Sequence, residues 1–176
     1  MTSLALPQKP RILVVALRRL GDVLLATPLI RSLRRAWPQA RIEALVFADT
    51  AGILAGNPDL DGVVTISPQP SAAQSFRLGA WLFRRYDLAV STQSGDRPTG
   101  FAITAGHVSV APVAANFNGR VKRALLTRSV AAVPGLHRVE EMLRLADALG
   151  IARVPELVTP RAADTGDRPA GPYAVI

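Results

Sequence analysis

The chain alternates short apolar runs with longer amphipathic segments. Five short runs are rich in branched residues and are predicted to be β-strands, at 11–17, 41–47, 62–66, 87–92 and 107–111. Helices are predicted at 22–37, 50–56, 71–85, 97–105 and 136–149. Strand–helix alternation with continuously apolar strands predicts a parallel sheet covered on both faces. The predicted fold class is therefore α/β, a Rossmann-like doubly wound parallel sheet.

Proline and glycine refine three of these elements. Thr27-Pro28 lies inside the first helical pattern, so this helix is expected to kink or to restart with Thr27 as its N-cap. The fifth strand is expected to end at Ala111, because Pro112 has no N–H to donate to a ladder. Gly150 follows the last helical pattern, where a helix C-cap is favoured.

Other segments are less regular. The helix predicted at 71–85 has four apolar residues available for an inner face: Phe76, Ala80, Leu82 and Phe83. Residues 113–133 give no assignable pattern and resemble a loop leading into a strand or helix. Residues 155–172 have linker composition, and 173–176 resemble the first half of another strand. We therefore expect one domain at 1–154, a linker, and a truncated second domain.

Charge and composition narrow the classes of partner. The net charge is +8, and all but two of the 21 basic residues are arginine. Such a surplus favours phosphates, carboxylates, nucleic acid or an acidic membrane surface, although a GC-rich genome would give the same arginine bias without function. The chain has no cysteine, which fits a reducing compartment. The apolar run at 12–17 is too short to span a bilayer, so the predicted location is the cytoplasm.

Two loops follow strands at the edge of the sheet where doubly wound folds bind ligands. The first, residues 18–22, reads RRLGD, and the second, residues 93–97, reads QSGDR. The first loop matches neither the dinucleotide fingerprint nor a P-loop. It contains Gly21, which allows close approach of a ligand, and Asp22, whose carboxylate would lie at the start of a helix.

Each of these features also has a purely structural interpretation. Asp22 is a residue type favoured as a helix N-cap, Gly21 fits a turn, and the arginines of the loop fit a solvated surface. Three arginines lie on one face of the first helix and fit either anionic lipid or plain solvation: Arg31, Arg34 and Arg35. His137 with Glu140 and Glu141 either lines a site or reflects ordinary chemistry of a first helical turn. No metal-ligand spacing and no Ser-His-Asp order is present in the sequence.

Four segments in fixed order resemble glycosyltransferase family 9, the heptosyltransferases of lipopolysaccharide assembly. They are RILVVALRRLGDVLLATPLIRSLRRAWPQARIEALV, GNPDLDGVV, YDLAVSTQSGDRP and HRVEEMLRLADALGI, and the final GPYAVI looks like the start of the family's second domain. The resemblance implies the N-terminal half of a GT-B glycosyltransferase, with two Rossmann-like domains around a cleft. The N-terminal domain of such enzymes holds the acceptor.

The resemblance also implies the chemistry. Asp22 matches the aspartate of the family's G-D segment and would be the general base of an inverting, metal-independent transfer. On this basis six residues are expected to bind the acceptor: Arg18, Arg19, Gly21, Gln93, Arg97 and Arg120. No cofactor is expected, and the donor, ADP-heptose, is expected on the C-terminal domain. Where relatives often have D-x-Q, this chain has Ser91-Thr92-Gln93.

The expected partners are an anionic lipopolysaccharide core acceptor and a nucleotide-sugar donor, without nucleic acid. Peripheral contact with the inner membrane is compatible with them. Residues 1–176 alone are expected to be inactive. Two alternatives stay open: a family member that uses another nucleotide sugar, and a non-enzymatic basic α/β module that binds anionic membrane or nucleic acid. The low aromatic content of 5% disfavours base stacking.

Overall fold

The computed structural model describes residues 4–133 and 135–160. Their strands are β1 (Arg11–Ala16), β2 (Arg41–Phe47), β3 (Gly62–Ile66), β4 (Tyr86–Ser91), β5 (Gly106–Val113) and β6 (Arg128–Ala131). Their helices are α1 (Leu20–Leu24), α2 (Thr27–Ala36), α3 (Ala72–Leu82), α4 (Asp96–Ala105), α5 (Phe117–Leu125) and α6 (Arg138–Leu149). A 3-10 helix, Ala48–Leu54, joins β2 to β3.

The strands form one parallel sheet in the order β3-β2-β1-β4-β5-β6. From β1 the chain winds outward through β2 to β3, and it then crosses back to β4 and winds the other way. Right-handed crossovers therefore place α2 on one face of the sheet and α3, α4 and α5 on the other. The predicted doubly wound α/β fold is confirmed.

Alternating side chains of the central strands supply two cores. Ile12, Val14 and Ala16 pack with α2 and α6 on one face, and Leu13, Val15 and Leu17 pack with α4 and the end of α3 on the other. Burial on both faces explains why these strands are continuously apolar. Among the described residues, no helix has the length and apolar character that crossing a membrane requires.

The expected restart of the first helix is confirmed, although the cap is shifted. α1 ends at Leu24 and α2 begins at Thr27, with Ala26 rather than Thr27 at the N-cap position. The Thr27 hydroxyl instead donates backward to the Leu24 carbonyl at 2.7 Å. The predicted C-cap at Gly150 is confirmed, because its φ of 73° is left-handed and favours glycine.

The predicted end of the fifth strand at Ala111 is wrong. β5 continues through Pro112 to Val113, and Pro112 pairs with Val130 of β6. Pairing with β4 reaches only Val110, so the missing N–H of Pro112 removes nothing from that ladder. The unassigned segment 113–133 contains α5 and all of β6, which is the sixth strand of the sheet.

The predicted inner face of α3 is largely wrong. Leu82 is fully buried, but Ala80 is exposed, and the Phe76 and Phe83 side chains are 77% and 67% exposed. Leu78, rather than Phe76, packs against the core on this side. A capping box of Ser71 and Gln74 begins the helix one residue later than predicted.

Residues after α6 lie along α2 without regular structure. The Val158 amide donates to the Thr27 hydroxyl at 3.0 Å, and the Val154 amide donates to the Ser32 hydroxyl at 2.9 Å. Glu156 pairs with Arg31 at 2.9 Å. Residues 155–160 of the predicted linker are therefore anchored to the first domain. Its remainder, 161–172, and the predicted strand start at 173–176 lie outside the described residues.

A buried polar contact joins the two strands that flank β1. The Tyr86 hydroxyl of β4 donates to Glu43 Oε2 of β2 at 2.6 Å, and both side chains are buried. Arg41 also bonds the Glu43 carboxylate, at 3.0 Å. Burial would raise the pKa of Glu43, but the hydrogen bonds from Tyr86 and Arg41 outweigh it and hold that pKa below its usual value. Glu43 therefore stabilises the fold as a carboxylate.

We expect Glu43→Gln to lower the free energy of unfolding at pH 7 by about 1–3 kcal/mol, because an amide is a weaker partner for Tyr86 and Arg41. A pKa that is depressed in the folded state gives stability above the unfolded pKa, near about 4. That stability is lost as the pH falls through the lower folded value. Urea unfolding of both proteins across this pH range measures the difference.

Tyr86→Phe is the matched variant, since it removes the donor and leaves the carboxylate buried. It should destabilise the protein at pH 7 in the same direction as Glu43→Gln. The two effects should also be non-additive in the double variant, because they remove one shared contact. A constant stability difference down to acid pH would contradict this role for Glu43.

Candidate active site

The two candidate loops meet where the sheet reverses its winding direction. β1 and β4 are neighbours, and the chain leaves their carboxyl ends on opposite faces of the sheet. Thr92, just after β4, donates both its amide and its hydroxyl to the Val15 carbonyl, at 3.0 and 3.1 Å. The start of the second loop is thus fixed beside the end of β1. Such a crevice is where open α/β sheets bind ligands.

An open cavity of about 550 Å³ lies at the carboxyl edge of the sheet, on the side of β1 that faces β2 and β3. The first loop supplies one wall, and the segments that follow β2 and β3 supply the other. Its lining residues are Leu17, Arg18, Arg19, Asp22, Phe47, Asp49, Thr50 and Pro68. The cavity therefore combines two arginines and two carboxylates with an apolar floor. That is a suitable setting for a polar, anionic ligand.

Asp22 does not cap its own helix. α1 begins at Leu20 with Arg19 at the N-cap position, and no side chain bonds the helix amides there. Asp22 lies one turn later than a cap would, and its side chain is 25% exposed at the cavity. The capping interpretation of Asp22 is therefore wrong for this structure, and the carboxylate is available to a ligand.

Two arginines orient the Asp22 carboxylate. Arg138 Nε lies 3.1 Å from Oδ1, and Arg18 Nη1 lies 3.7 Å from Oδ2. Arg138 is the first residue of α6 and also pairs with Glu141 in the next turn. The sequence analysis missed Arg138, because no local pattern relates the start of α6 to the first loop.

No steric constraint within the protein requires glycine at position 21. Gly21 lies in α1, and a Cβ built on it would meet no atom within 4 Å. Neither a left-handed backbone nor close packing therefore requires glycine at this exposed position. The expected close approach of a ligand at Gly21 stays a prediction.

The second loop is ordered by internal contacts. The Ser91 hydroxyl donates to the Gln93 carbonyl at 2.8 Å and accepts from the Gln93 amide at 3.2 Å. Ser91, where relatives often carry aspartate, thus forms the turn. The Gln93 side chain is buried, and its Nε2 finds no partner among the described residues. Lys122 of α5 donates to the Ser94 carbonyl and pairs with Asp96 at 2.6 Å.

The remaining predicted acceptor residues lie apart from the Asp22 cavity. Arg97 is exposed in the first turn of α4. Arg120, on α5, lies over the Phe117 ring at 5.7 Å and lines a second cavity of about 440 Å³ with Asn116 and Arg123. Of the predicted site residues, Arg18, Arg19 and Asp22 therefore line one cavity. Gln93 and Arg97 follow the adjacent strand β4, and Arg120 lines a separate cavity.

Two other sets of charged residues form ion pairs within the protein. Arg31 pairs with Asp59 and Glu156, and Arg34 pairs with Asp61, so neither is left as a lipid-facing or freely solvated charge. Arg35 stays exposed. Glu140 pairs with Arg153, and His137 is an exposed N-cap position without a side-chain bond. The described part of the chain holds no cluster of three or more potential metal ligands.

Part of the chain is similar to curated heptosyltransferases. No family model matches the chain. A lipopolysaccharide heptosyltransferase 3 of Escherichia coli is 40% identical over 53 residues, which is 30% of this chain and 16% of that protein. A protein of the same name from Escherichia coli strain K12 is 43% identical over 47 residues, 27% of this chain and 14% of that protein.

Solved structures share the fold over most of the chain. Escherichia coli heptosyltransferase WaaC with ADP-2-deoxy-2-fluoro heptose aligns with a TM-score of 0.67 at 19% identity, over 81% of this chain and 49% of that one. A glycosyl transferase of family 9 from Veillonella parvula aligns with a TM-score of 0.66 at 21% identity, over 81% and 42%. The chain thus spans about half the length of these structures. The resemblance to family 9 is confirmed.

Lys122 is expected to hold the second loop in place. Lys122→Met should raise amide exchange rates in residues 93–96 by about tenfold, because it removes a charged hydrogen bond to Ser94 and the ion pair with Asp96. Hydrogen exchange followed by mass spectrometry measures this change. Arg123→Met, an exposed neighbour on the same helix, is the control and should leave the loop unchanged. Equal exchange in both variants would contradict the assignment.

Proposed function

We propose that this chain is the acceptor-binding half of an inverting glycosyltransferase that transfers heptose from ADP-heptose to a lipopolysaccharide core acceptor. Asp22 is the general base. A nucleotide-sugar donor would occupy a second domain across the cleft, as the resemblance to family 9 implies. The proposal needs neither a cofactor nor a metal ion. It places the protein in the cytoplasm, where an anionic, lipid-linked acceptor would draw it to the inner membrane.

The position of the Asp22 carboxylate is the main support. It lies at the carboxyl end of β1, opens on a cavity of about 550 Å³, and makes no bond to its own helix amides. The similar curated proteins are named as lipopolysaccharide heptosyltransferases, and one of them shares 43% identity with this chain over 47 residues. A carboxyl group held at a ligand-binding edge suits the role of general base.

The proposed step is a single displacement. The acceptor hydroxyl oxygen attacks the anomeric carbon of the heptose as the bond from that carbon to the phosphate oxygen breaks. ADP leaves with the bonding pair, and the hydroxyl proton passes to an Asp22 oxygen. Attack from the face opposite the leaving group inverts the anomeric configuration.

Anionic groups of the acceptor would be held by arginines. Arg18 and Arg19 line the cavity with Asp22, and Arg97 lies in the first turn of α4. Each guanidinium suits a carboxylate or phosphate. The unpartnered Nε2 of Gln93 would donate to an acceptor oxygen, since buried amide groups generally have partners. Gly21 leaves room for close approach, and Arg120 would contact a more distant part of the acceptor.

Asp22→Asn in the full natural protein should lower kcat by about 10²–10⁴-fold, the usual contribution of a positioned general base. Acceptor affinity should change by no more than about threefold, because the side-chain shape is retained. Transfer is measured with ADP-heptose and a lipopolysaccharide core acceptor, and a panel of other nucleotide sugars tests the identity of the donor. Asp49→Asn, in the same cavity, is the matched control. Wild-type turnover in Asp22→Asn would contradict the proposal.

Arg138 is a positioning residue for Asp22. Arg138→Met should lower kcat by about tenfold with little change in the KM of the acceptor, because the carboxylate loses the guanidinium that orients it. In the Asp22→Asn background the same substitution should have almost no further effect. Arg18→Met should instead raise that KM. Fully additive effects of Arg138→Met and Asp22→Asn would show that Arg138 acts elsewhere.

A further inference from the structure

α3 carries an apolar stripe that faces solvent. Phe76, Gly79, Ala80 and Phe83, which we call the α3 patch, follow one another at helical spacing of i, i+3, i+4 and i+7. They line a depression of about 330 Å³ together with Thr104 of α4. The helix reaches the core through other residues, chiefly Leu82. Two exposed phenylalanines on one stripe exceed what scattered surface residues account for.

The charged residues in the segment that carries the α3 patch are all positive. Residues 67–86 contain three arginines, Arg77, Arg84 and Arg85, and no aspartate or glutamate. Arg77 and Arg84 are exposed, and Arg85 stacks on the ring of Trp81 at 3.9 Å. Aromatic residues flanked by arginine without opposing acids are typical of helices that lie in the interface of an anionic bilayer.

α3 follows the candidate active site along the chain. Pro68 lines the Asp22 cavity, and α3 begins four residues later at Ala72. A groove of about 260 Å³ runs beside the start of α3, between Ile66 of β3 and Arg77. The helix then runs away from the cavity, because Arg84, just after it, bonds the carbonyls of Thr104 and Gly106 at the amino end of β5. The α3 patch therefore lies on the flank of the domain, toward the edge of the sheet opposite the cavity.

We propose that the α3 patch is a membrane-docking surface whose occupant is a bilayer rich in anionic lipid. Phe76 and Phe83 enter the boundary between headgroups and acyl chains, and Arg77 and Arg84 contact lipid phosphates. The proposal rests on the proposed function for its biological purpose, since the surface would hold the enzyme at the membrane that contains a lipid-linked acceptor. The binding itself needs no glycosyl transfer.

Vesicle sedimentation tests the proposal with the chain as it stands. The protein should bind vesicles of phosphatidylcholine mixed with phosphatidylglycerol and bind pure phosphatidylcholine far less. The double variant Phe76→Ser/Phe83→Ser should weaken binding by about tenfold or more, and Arg77→Gln by about fivefold. Leu157→Ser is the matched control, since Leu157 is also exposed but lies on the α2 side of the sheet.

A fluorescence measurement avoids any folding defect in the double variant. The chain has two tryptophans, and Trp37→Phe leaves Trp81 of α3 as the reporter. Brominated acyl chains should quench Trp81 when anionic vesicles are added. Absence of quenching and of sedimentation would overturn the proposal, as would a dimer that Phe76→Ser/Phe83→Ser dissociates without any vesicle binding. Transfer to a soluble acceptor by that variant tests the proposed function separately.

Discussion

The reversal of winding between β1 and β4 is the constraint on which the site depends. Because every crossover is right-handed, the connections after these two strands leave on opposite faces, and no helix can cover the edge between them. The two loops at 18–22 and 93–97 are left to line it. Thr92 fixes their relation through its two bonds to the Val15 carbonyl. The cavity beside Asp22 lies on the other side of the first loop, against the segments that follow β2 and β3.

Holding that carboxylate requires groups from distant parts of the chain. Arg138 comes from α6, which packs against α2 on one face of the sheet, and the apolar residues of α6 fix where its first turn lies. Lys122 comes from α5 on the other face and braces the second loop. Both faces of the doubly wound sheet therefore contribute a cation to the crevice. The cores and the site are coupled through the first turn of α6 and the last turns of α5.

Periodicity predicted most of the fold because most elements bury one clear stripe. Five strands and the helix at 136–149 fall close to their predicted bounds. The same reasoning was wrong for the inner face of α3, because this helix has apolar residues on two sides. Periodicity alone does not show that Leu82 faces the core while Phe76 faces solvent. β6 is only four residues long and α5 is strongly polar, so neither gave a signal. Asp22 was singled out as a candidate from its motif, whereas its contact with Arg138 is a tertiary contact that no local sequence encodes.

The net charge of +8 is a poor guide to where anions bind, because many arginines serve the fold. Arg31, Arg34 and Arg153 are held by carboxylates of neighbouring elements, and Arg31 helps to secure the segment after α6. Partly exposed ion pairs of this kind contribute little stability individually. Arginines that are held in such pairs are nevertheless less available to bind an anionic ligand. Exposed arginines remain at several separate places, among them Arg19 in the first loop, Arg77 on α3, and Arg120 and Arg123 on α5. The position of each arginine relative to the carboxyl edge of the sheet, rather than the net charge, therefore decides which of them could meet an anionic substrate beside Asp22.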